Sequence, residues 1–139
     1  LSWFFQQWFV TYRAARELMM NLFGSLNIVQ VVYLAVVSSI SEELLFRGAL
    51  QPYMGVFFTS CLFGLLHVGP GRWLSAWSLW ALVAGILLGI SVEQTQSLWP
   101  AILAHFLINA ASMLMMKREF RIMVAQRERA AGLLSRISQ

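Results

Sequence analysis

The chain has 139 residues, of which 59% are hydrophobic and only 12% are charged. A soluble domain carries about 25% charged residues, because water must solvate its surface. This composition excludes an ordinary soluble domain and predicts that the chain folds in lipid. The sequence has one cysteine, Cys61, and no aspartate, which excludes an intramolecular disulfide, a zinc cage of thiolates and an acid cluster built on Asp.

Four apolar stretches follow one another without an internal repeat or a linker between them. They cover residues 28–50, 53–68, 73–92 and 98–116. About 20 apolar residues are enough to cross ~30 Å of hydrocarbon as a helix, so the stretches predict an all-α fold. We expect a polytopic transmembrane helical bundle of about four core helices, flanked by amphipathic or interfacial helices. Gly48 and Pro52 predict the place where the chain leaves the first stretch.

The net charge of +4 belongs to residues 117–139, because the charges before this segment balance. Basic flanks of membrane segments usually mark the cytoplasmic side. We therefore expect a multi-pass integral membrane protein whose basic C-terminal tail is cytoplasmic. The predicted outer connections, around 51–55 and 93–97, contain no Lys or Arg, which agrees with this orientation. The basic segment carries no nucleic-acid recognition motif, so no nucleic-acid partner is expected.

The sequence divides into three segments within one domain. Residues 1–26 mix aromatic side chains with Arg and Glu, which is typical of a membrane-exit or interfacial segment. Residues 27–116 contain the four stretches and form the membrane core. Residues 117–139 have the pattern of a basic amphipathic helix that lies on the membrane surface. The chain opens at Leu1 without an initiator Met or a signal peptide, so we interpret it as part of a longer protein.

A small set of polar side chains interrupts the predicted spans. Burying an ionisable group in a bilayer costs ~3 kcal/mol or more, so such groups usually have a function. The set consists of Glu42, Glu43, Arg47, His67, His105 and Asn109. Counted from the outer helix ends at ~1.5 Å per residue, these side chains lie at overlapping depths. We therefore expect one polar cluster at mid-membrane, in a cleft between helices.

Helical spacing assigns different surroundings to the two adjacent glutamates. Glu43 and Arg47 are four residues apart and share a helix face, so we expect them to form an ion pair. Glu42 points about 100° away around the helix and stays free to accept a proton. A carboxylate in a low-dielectric cleft can act as a general base. The same spacing recurs in Phe63 with His67 and in His105 with Asn109.

Three motifs in this order resemble the signature motifs of the CPBP family, the CAAX proteases and bacteriocin-processing enzymes, also called the Abi family. They are Glu42-Glu43-x-x-x-Arg47, Phe63-x-x-x-His67 and His105-x-x-x-Asn109. The resemblance covers roughly residues 30–112 and marks residues 27–116 as a CPBP-like intramembrane protease core. It implies an all-helical intramembrane endopeptidase. Its expected partners are the lipid bilayer and a membrane-bound peptide or protein substrate, CAAX-like or bacteriocin-leader-like.

The resemblance also implies a role for each motif residue. Glu42 and His67 activate a water, and His105 with Asn109 stabilises the oxyanion. Donors aimed at a developing oxyanion contribute ~3 kcal/mol each in a dry site. The supporting residues are Glu43, Arg47 and Phe63.

No cofactor is expected for this glutamate mechanism. A zinc site held by Glu42, His67 and His105 is an alternative, because these are legitimate zinc ligands. The sequence contains no His-Glu-x-x-His motif and no pair of aspartates, which argues against two other intramembrane protease chemistries.

Two other classes of function use the same features. One is a non-catalytic immunity or scaffold membrane protein that keeps the helical framework. The other is a proton-coupled transporter that uses the buried glutamate and histidine cluster. Intact motifs favour the peptidase over both.

Overall fold

The computed structural model of the chain describes residues 16–67 and 76–137. These ranges are helical almost throughout and contain no strand, which confirms the predicted all-α fold. Within them, three helical stretches are long and apolar enough to cross a membrane: Ile28–Leu66, Trp77–Thr95 and Trp99–Leu133. The elements are α1 (residues 16–24), α2 (Ile28–Glu43), a π-helical segment (Leu44–Leu50), α3 (Gln51–Leu66), α4 (Ala76–Thr95) and α5 (Trp99–Ile137).

Burial in this molecule is inverted relative to a soluble protein. Among the residues that the structure describes, the buried side chains are as often polar or charged as hydrophobic. Large apolar side chains face outward instead, and Phe57 and Phe58 are 62% and 65% exposed. Lipid can cover such a surface, whereas the polar groups need partners inside the bundle. This distribution agrees with the predicted membrane bundle.

A capping box starts α2, the helix that carries the two glutamates. The Asn27 side chain accepts a hydrogen bond from the backbone N–H of Gln30 at 2.9 Å, and the Gln30 side chain accepts one from the N–H of Asn27 at 2.8 Å. These two bonds satisfy donors that a helix start leaves unpaired. They fix where α2 begins.

The first apolar stretch and the second form a hairpin that reverses at Gly55. In a straight helix Phe46 and Phe63 would lie roughly 25 Å apart, yet their ring centroids are 4.9 Å apart. Gly55 has φ 70° and ψ 169°, a conformation that a residue without a Cβ adopts easily. A Cβ there would meet nothing within 4 Å, so the backbone angle and not crowding favours glycine.

The predicted exit at Gly48 and Pro52 is wrong, because the chain stays helical through both residues. Pro52 lies at the start of α3, directly after the π-helical segment. A proline ring pushes against the preceding turn of an α-helix, and the wider π turn relieves that contact. The turn at Gly55 still falls within the predicted outer connection at 51–55.

Small residues bring α3 and α4 close together. A Cβ on Gly85 would lie 3.1 Å from the Cβ of Ser60, and a Cβ on Gly64 would lie 3.0 Å from the carbonyl oxygen of Ser78. Small residues allow such approach between membrane helices. Next to this contact lies an apolar cluster of Phe46, Phe63 and Ala81.

α4 and α5 are joined by a short turn, and α5 continues beyond the predicted last span. Gln96 takes a left-handed φ of 53° in this turn, inside the predicted outer connection at 93–97. α5 is a single helix from Trp99 to Ile137, so the segment predicted as a separate tail, 117–139, extends the span as one helix through residue 137.

α1 packs against this extension of α5. The Arg16 Nη2 lies 2.7 Å from the Glu119 Oε2, and the Phe120 side chain fills the space that a Cβ on Gly24 would need. The division into three segments stays a prediction. Residues 1–15, 68–75 and 138–139, which belong to the predicted first segment, the second and third stretches and the tail, lie outside the described residues.

Candidate active site

The hairpin and α5 bring residues from all three motifs to one place. Glu42 stands in the last turn of α2, His67 caps the end of α3, and His105 faces them from α5. The Glu42 Oε2 lies 3.7 Å from the His67 Nε2 and 3.8 Å from the His105 Nε2. The expected cluster is therefore present, and one carboxylate oxygen faces two imidazole nitrogens.

The end of α3 orients the ring of His67. The His67 N–H bonds to the carbonyl of Gly64 at 3.2 Å and not to that of Phe63, as an α-helix would require. The Phe63 carbonyl is thus left to the His67 side chain, whose Nδ1 lies 2.7 Å away. A carbonyl only accepts, so we assign the proton to Nδ1. In the neutral ring, the Nε2 lone pair then faces Glu42.

The ring of His105 is oriented in the same way by Glu43. The His105 Nδ1 lies 2.6 Å from the Glu43 Oε1. The same oxygen accepts a hydrogen bond from the Arg47 Nη1 at 2.9 Å, which identifies it as a carboxylate acceptor. His105 therefore donates through Nδ1 and, in its neutral form, presents the Nε2 lone pair to Glu42.

Glu43 and Arg47 form a fully buried pair, which confirms the predicted i,i+4 ion pair. Their side chains are 0% and 1% exposed. The Arg47 Nη2 also donates to the carbonyl of Gly85 on α4 at 3.0 Å. One turn further, the Gln51 Nε2 donates to the carbonyl of Gly89 at 3.0 Å. These bonds attach the π-helical segment and the start of α3 to α4.

The sequence reasoning missed three members of this network: Gly85, Gly89 and Gln51. A signal for them existed, because Gly85 and Gly89 are spaced i,i+4 on α4. That small-xxx-small pattern marks a surface where another helix approaches closely. Arg47 and Gln51 have the same spacing, so each donor meets one glycine carbonyl.

Phe63 packs at the centre of the cluster. Its ring centroid lies 4.7 Å from the Arg47 Cζ, 4.3 Å from the His67 ring and 5.8 Å from the His105 ring. An aromatic ring in this position limits the rotamers of both histidines and contacts the guanidinium through its π face. Phe63 thus contacts Arg47 and both imidazoles, and its supporting role stays a prediction.

Asn109 lies one helical turn from His105 on the face of α5 that contacts α2. Its Nδ2 donates to the Ser38 Oγ at 3.0 Å. Ser38 precedes Glu42 by one helical turn. The Asn109–Ser38 bond therefore lies one turn along the same α2–α5 interface from the contact between His105 and Glu43. The structure therefore places Asn109 beside Ser38, a partner that the sequence reasoning missed.

The two glutamates differ in access as well as in partners. The side chains of Glu42 and His67 are 30% and 24% exposed, whereas that of His105 is 6% exposed. The Glu42 Oε2 itself is buried and has no hydrogen-bond partner among the described residues. The Glu42 side chain is thus partly accessible although its Oε2 is covered, whereas the whole Glu43 side chain is buried.

The zinc alternative names Glu42, His67 and His105 as ligands. Their Oε2 and Nε2 atoms converge, but residues 16–67 and 76–137 contain no group of three His, Cys, Asp or Glu arranged to hold a metal ion. We therefore derive no step through a metal ion.

The fold and the site together define an integral membrane protein in which a carboxylate and two imidazoles meet between its helices. Residues 24–111, more than half of the chain, match the family described as type II CAAX prenyl endopeptidase Rce1-like. The chain belongs to this family of membrane proteases, which confirms the resemblance carried by the three motifs.

One curated relative also matches the chain. It is the uncharacterized protein YpbD of Bacillus subtilis (strain 168), 37% identical over 92 residues, which are 65% of this chain and 47% of that protein. The chain thus spans about half the length of the curated relative that it matches. No solved structure matches the chain.

Proposed function

We propose that the protein is an intramembrane endopeptidase in which Glu42 is the general base that activates a water. The observation that carries this proposal is the set of separations around the Glu42 Oε2, 3.7 Å to the His67 Nε2 and 3.8 Å to the His105 Nε2. They are too long for direct hydrogen bonds, and a single water can bridge groups at such distances. A water that contacts these atoms from the side can donate one proton to the carboxylate and the other to an imidazole nitrogen.

The chemical step follows from these groups. The water oxygen forms a bond to the carbonyl carbon of the substrate while one of its protons moves to Glu42. The carbon–nitrogen bond then breaks, and the proton passes to the departing amine, either from Glu42 directly or through the Nε2 of His67. Because the Nδ1 of His67 is held by a carbonyl, its Nε2 stays aimed at Glu42 throughout.

The oxyanion is stabilised by His105 and Asn109 in this proposal. An amide group has two N–H donors, and the Asn109–Ser38 bond uses one of them. His105 donates from Nε2 only in its doubly protonated form, while its Nδ1 stays on Glu43. Glu43 and Arg47 thus act as positioning residues, because they hold the His105 ring and attach the end of α2 to α4.

The proposed substrate is a peptide bond of a membrane-associated protein or peptide, CAAX-like or bacteriocin-leader-like. Family membership supports the CAAX-like class, and the membrane position of the site supports delivery from the bilayer. The proposed orientation keeps the basic end of α5 in the cytoplasm, as the positive-inside rule predicts. The mechanism needs no metal.

The test uses the full-length protein, purified in detergent and offered prenylated CAAX peptides, their unprenylated forms and leader peptides. We expect mass spectrometry to show cleavage by the wild type and none above background by Glu42→Gln. Glu93→Gln is the matched control, since Glu93 is an exposed glutamate near the end of α4. Cleavage that survives Glu42→Gln would refute the assigned base.

A second arm tests the metal question on the same protein. Activity that persists after dialysis against a chelator supports the metal-free mechanism. Activity that disappears with chelator and returns with added zinc would instead favour a site formed by Glu42, His67 and His105.

A further inference from the structure

A groove with basic and apolar walls lies between the start of α2 and the middle of α5, away from the glutamate cluster. Its volume is about 450 Å³, and it is lined by Ile28, Leu114, Lys117, Arg118, Arg121 and Ile122. It lies where the candidate span Ile28–Leu66 begins, at the level where α5 changes from an apolar to a basic sequence. The groove thus sits at the edge of the membrane core.

The basic wall consists of three cations on adjacent turns of α5. The Lys117 Nζ donates to the carbonyl of Leu26, just before α2, while Arg118 and Arg121 are exposed. Glu119 is the nearest acidic residue in the sequence, and its Oε2 forms an ion pair with the Nη2 of Arg16 on α1 at 2.7 Å. Within the described part of the chain, Arg118 and Arg121 form no ion pair with a carboxylate.

The apolar wall is open to its surroundings. Ile28, Leu114 and Ile122 are 64%, 45% and 49% exposed. A soluble anion would neutralise the cations but leave this surface uncovered. An acidic peptide would bring further polar backbone groups against it. A phosphate joined directly to hydrocarbon chains matches both walls at once.

We infer that this groove is a binding site for one anionic phospholipid. Its phosphate is held by Lys117, Arg118 and Arg121, and its acyl chains cover Ile28 and the apolar side chains of α5. Basic pockets beside membrane helices attract anionic head groups by the same charge complementarity. The bound lipid would connect α2, which carries Glu42, to α5, which carries His105.

The experiment measures lipid retention by native mass spectrometry of the full-length protein released from detergent. The probes are phosphatidylglycerol and phosphatidylcholine of identical chain length. We expect one phosphatidylglycerol per protein to be retained in preference to phosphatidylcholine. The double variant Arg118→Gln, Arg121→Gln should weaken this retention about tenfold or more, because two of the three cations are removed.

The matched control is Arg127→Gln, Arg129→Gln, which removes the same charge from α5 outside the groove. It should change retention less than twofold. Equal losses in both double variants would overturn the site in favour of diffuse attraction to the basic helix. Equal retention of the two lipids would overturn it as well, and so would full displacement by millimolar inorganic phosphate, which would identify a site for free phosphate.

Retention is measured without any substrate, so its outcome is separate from that of the protease assay. Arg118 and Arg121 are exposed, so their replacement should leave the fold unchanged. Thermal unfolding in detergent without lipid verifies this for both double variants. Added phosphatidylglycerol should then raise the unfolding temperature of the wild type and of the control, but not that of the groove variant.

Discussion

The candidate site has two halves with opposite properties, although each contains one of two adjacent glutamates. In one half, Glu43 is sealed and binds Arg47 and His105 through a single oxygen. In the other, the Glu42 side chain is partly exposed, and its Oε2 lies 3.7 Å from the His67 Nε2, too far for a direct hydrogen bond. In the first half the charges of Glu43 and Arg47 compensate each other. In the second half Glu42 and His67 make no direct hydrogen bond with each other.

The difference arises from the geometry of a helix. Consecutive residues point about 100° apart, so Glu43 faces the bundle interior while Glu42 faces the cleft between α2, α3 and α5. A carboxylate buried without a cation would strongly destabilise the fold, and the ion pair with Arg47 offsets this destabilisation. Two adjacent glutamates therefore have different surroundings, one in a buried ion pair and the other, in the proposed mechanism, beside the reacting water.

The largest expected effect comes from exchanging the two glutamates for glutamine one at a time. Glu42→Gln should lower kcat by ~10²–10⁴ because it removes the proposed general base, with little change in thermal unfolding. Glu43→Gln should destabilise the fold, because it removes the counter-charge of a buried guanidinium. Peptide cleavage and thermal unfolding, measured on both variants, test the separation of roles. Similar profiles for the two would contradict it.

The second prediction concerns the sealed half alone. Arg47→Ala should destabilise the protein by about 3–5 kcal/mol, because Glu43 stays buried without its cation. The measurement is unfolding by a denaturing detergent, and folded yield should fall in parallel. Arg129→Ala, at an exposed position of α5, is the control and should change stability by less than about 0.5 kcal/mol. A stable Arg47→Ala protein would mean that the pair is dispensable.

Contacts within one helix were predictable from the sequence. The Glu43–Arg47 pair follows from i,i+4 spacing, and the apolar stretches follow from hydropathy. Even the meeting of Glu42, His67 and His105 could be expected, since depth along a helix is set by a fixed rise per residue.

Contacts between helices could not be predicted in the same way. Spacing contains no information on the rotation of one helix against another, so the bonds from His105 to Glu43 and from Asn109 to Ser38 were not foreseen. The first turn was expected within residues 51–55, but Gly55 was not identified as its position, for a related reason. Gly48 and Pro52 are equally good breakers by composition, and only the π-helical segment between Leu44 and Leu50 explains why the chain passes through them.

The third prediction tests the sealed half from the side of α4. A Cβ on Gly85 would lie 3.1 Å from the Cβ of Ser60, and the Gly85 carbonyl accepts from Arg47. Gly85→Ala should therefore push α3 and α4 apart and destabilise the protein by roughly 1–3 kcal/mol. Gly132→Ala is the control, because a Cβ there meets nothing within 4 Å. If both changes leave the unfolding transition in place, the close approach has no energetic importance.

The smallest expected effect on stability concerns the bond between Asn109 and Ser38. Ser38→Ala removes the hydrogen-bond partner of Asn109 and should lower stability by about 1 kcal/mol, with Ser41→Ala at an exposed position as the control.

If Asn109 serves the oxyanion, Asn109→Ala should lower kcat by ~10²–10³. Ser38→Ala should lower kcat far less, because the amide keeps both donors and loses only its anchor. Equal kcat losses for Ser38→Ala and Asn109→Ala would mean that Asn109 acts through its bond to α2, which would move it to the structural half of the site.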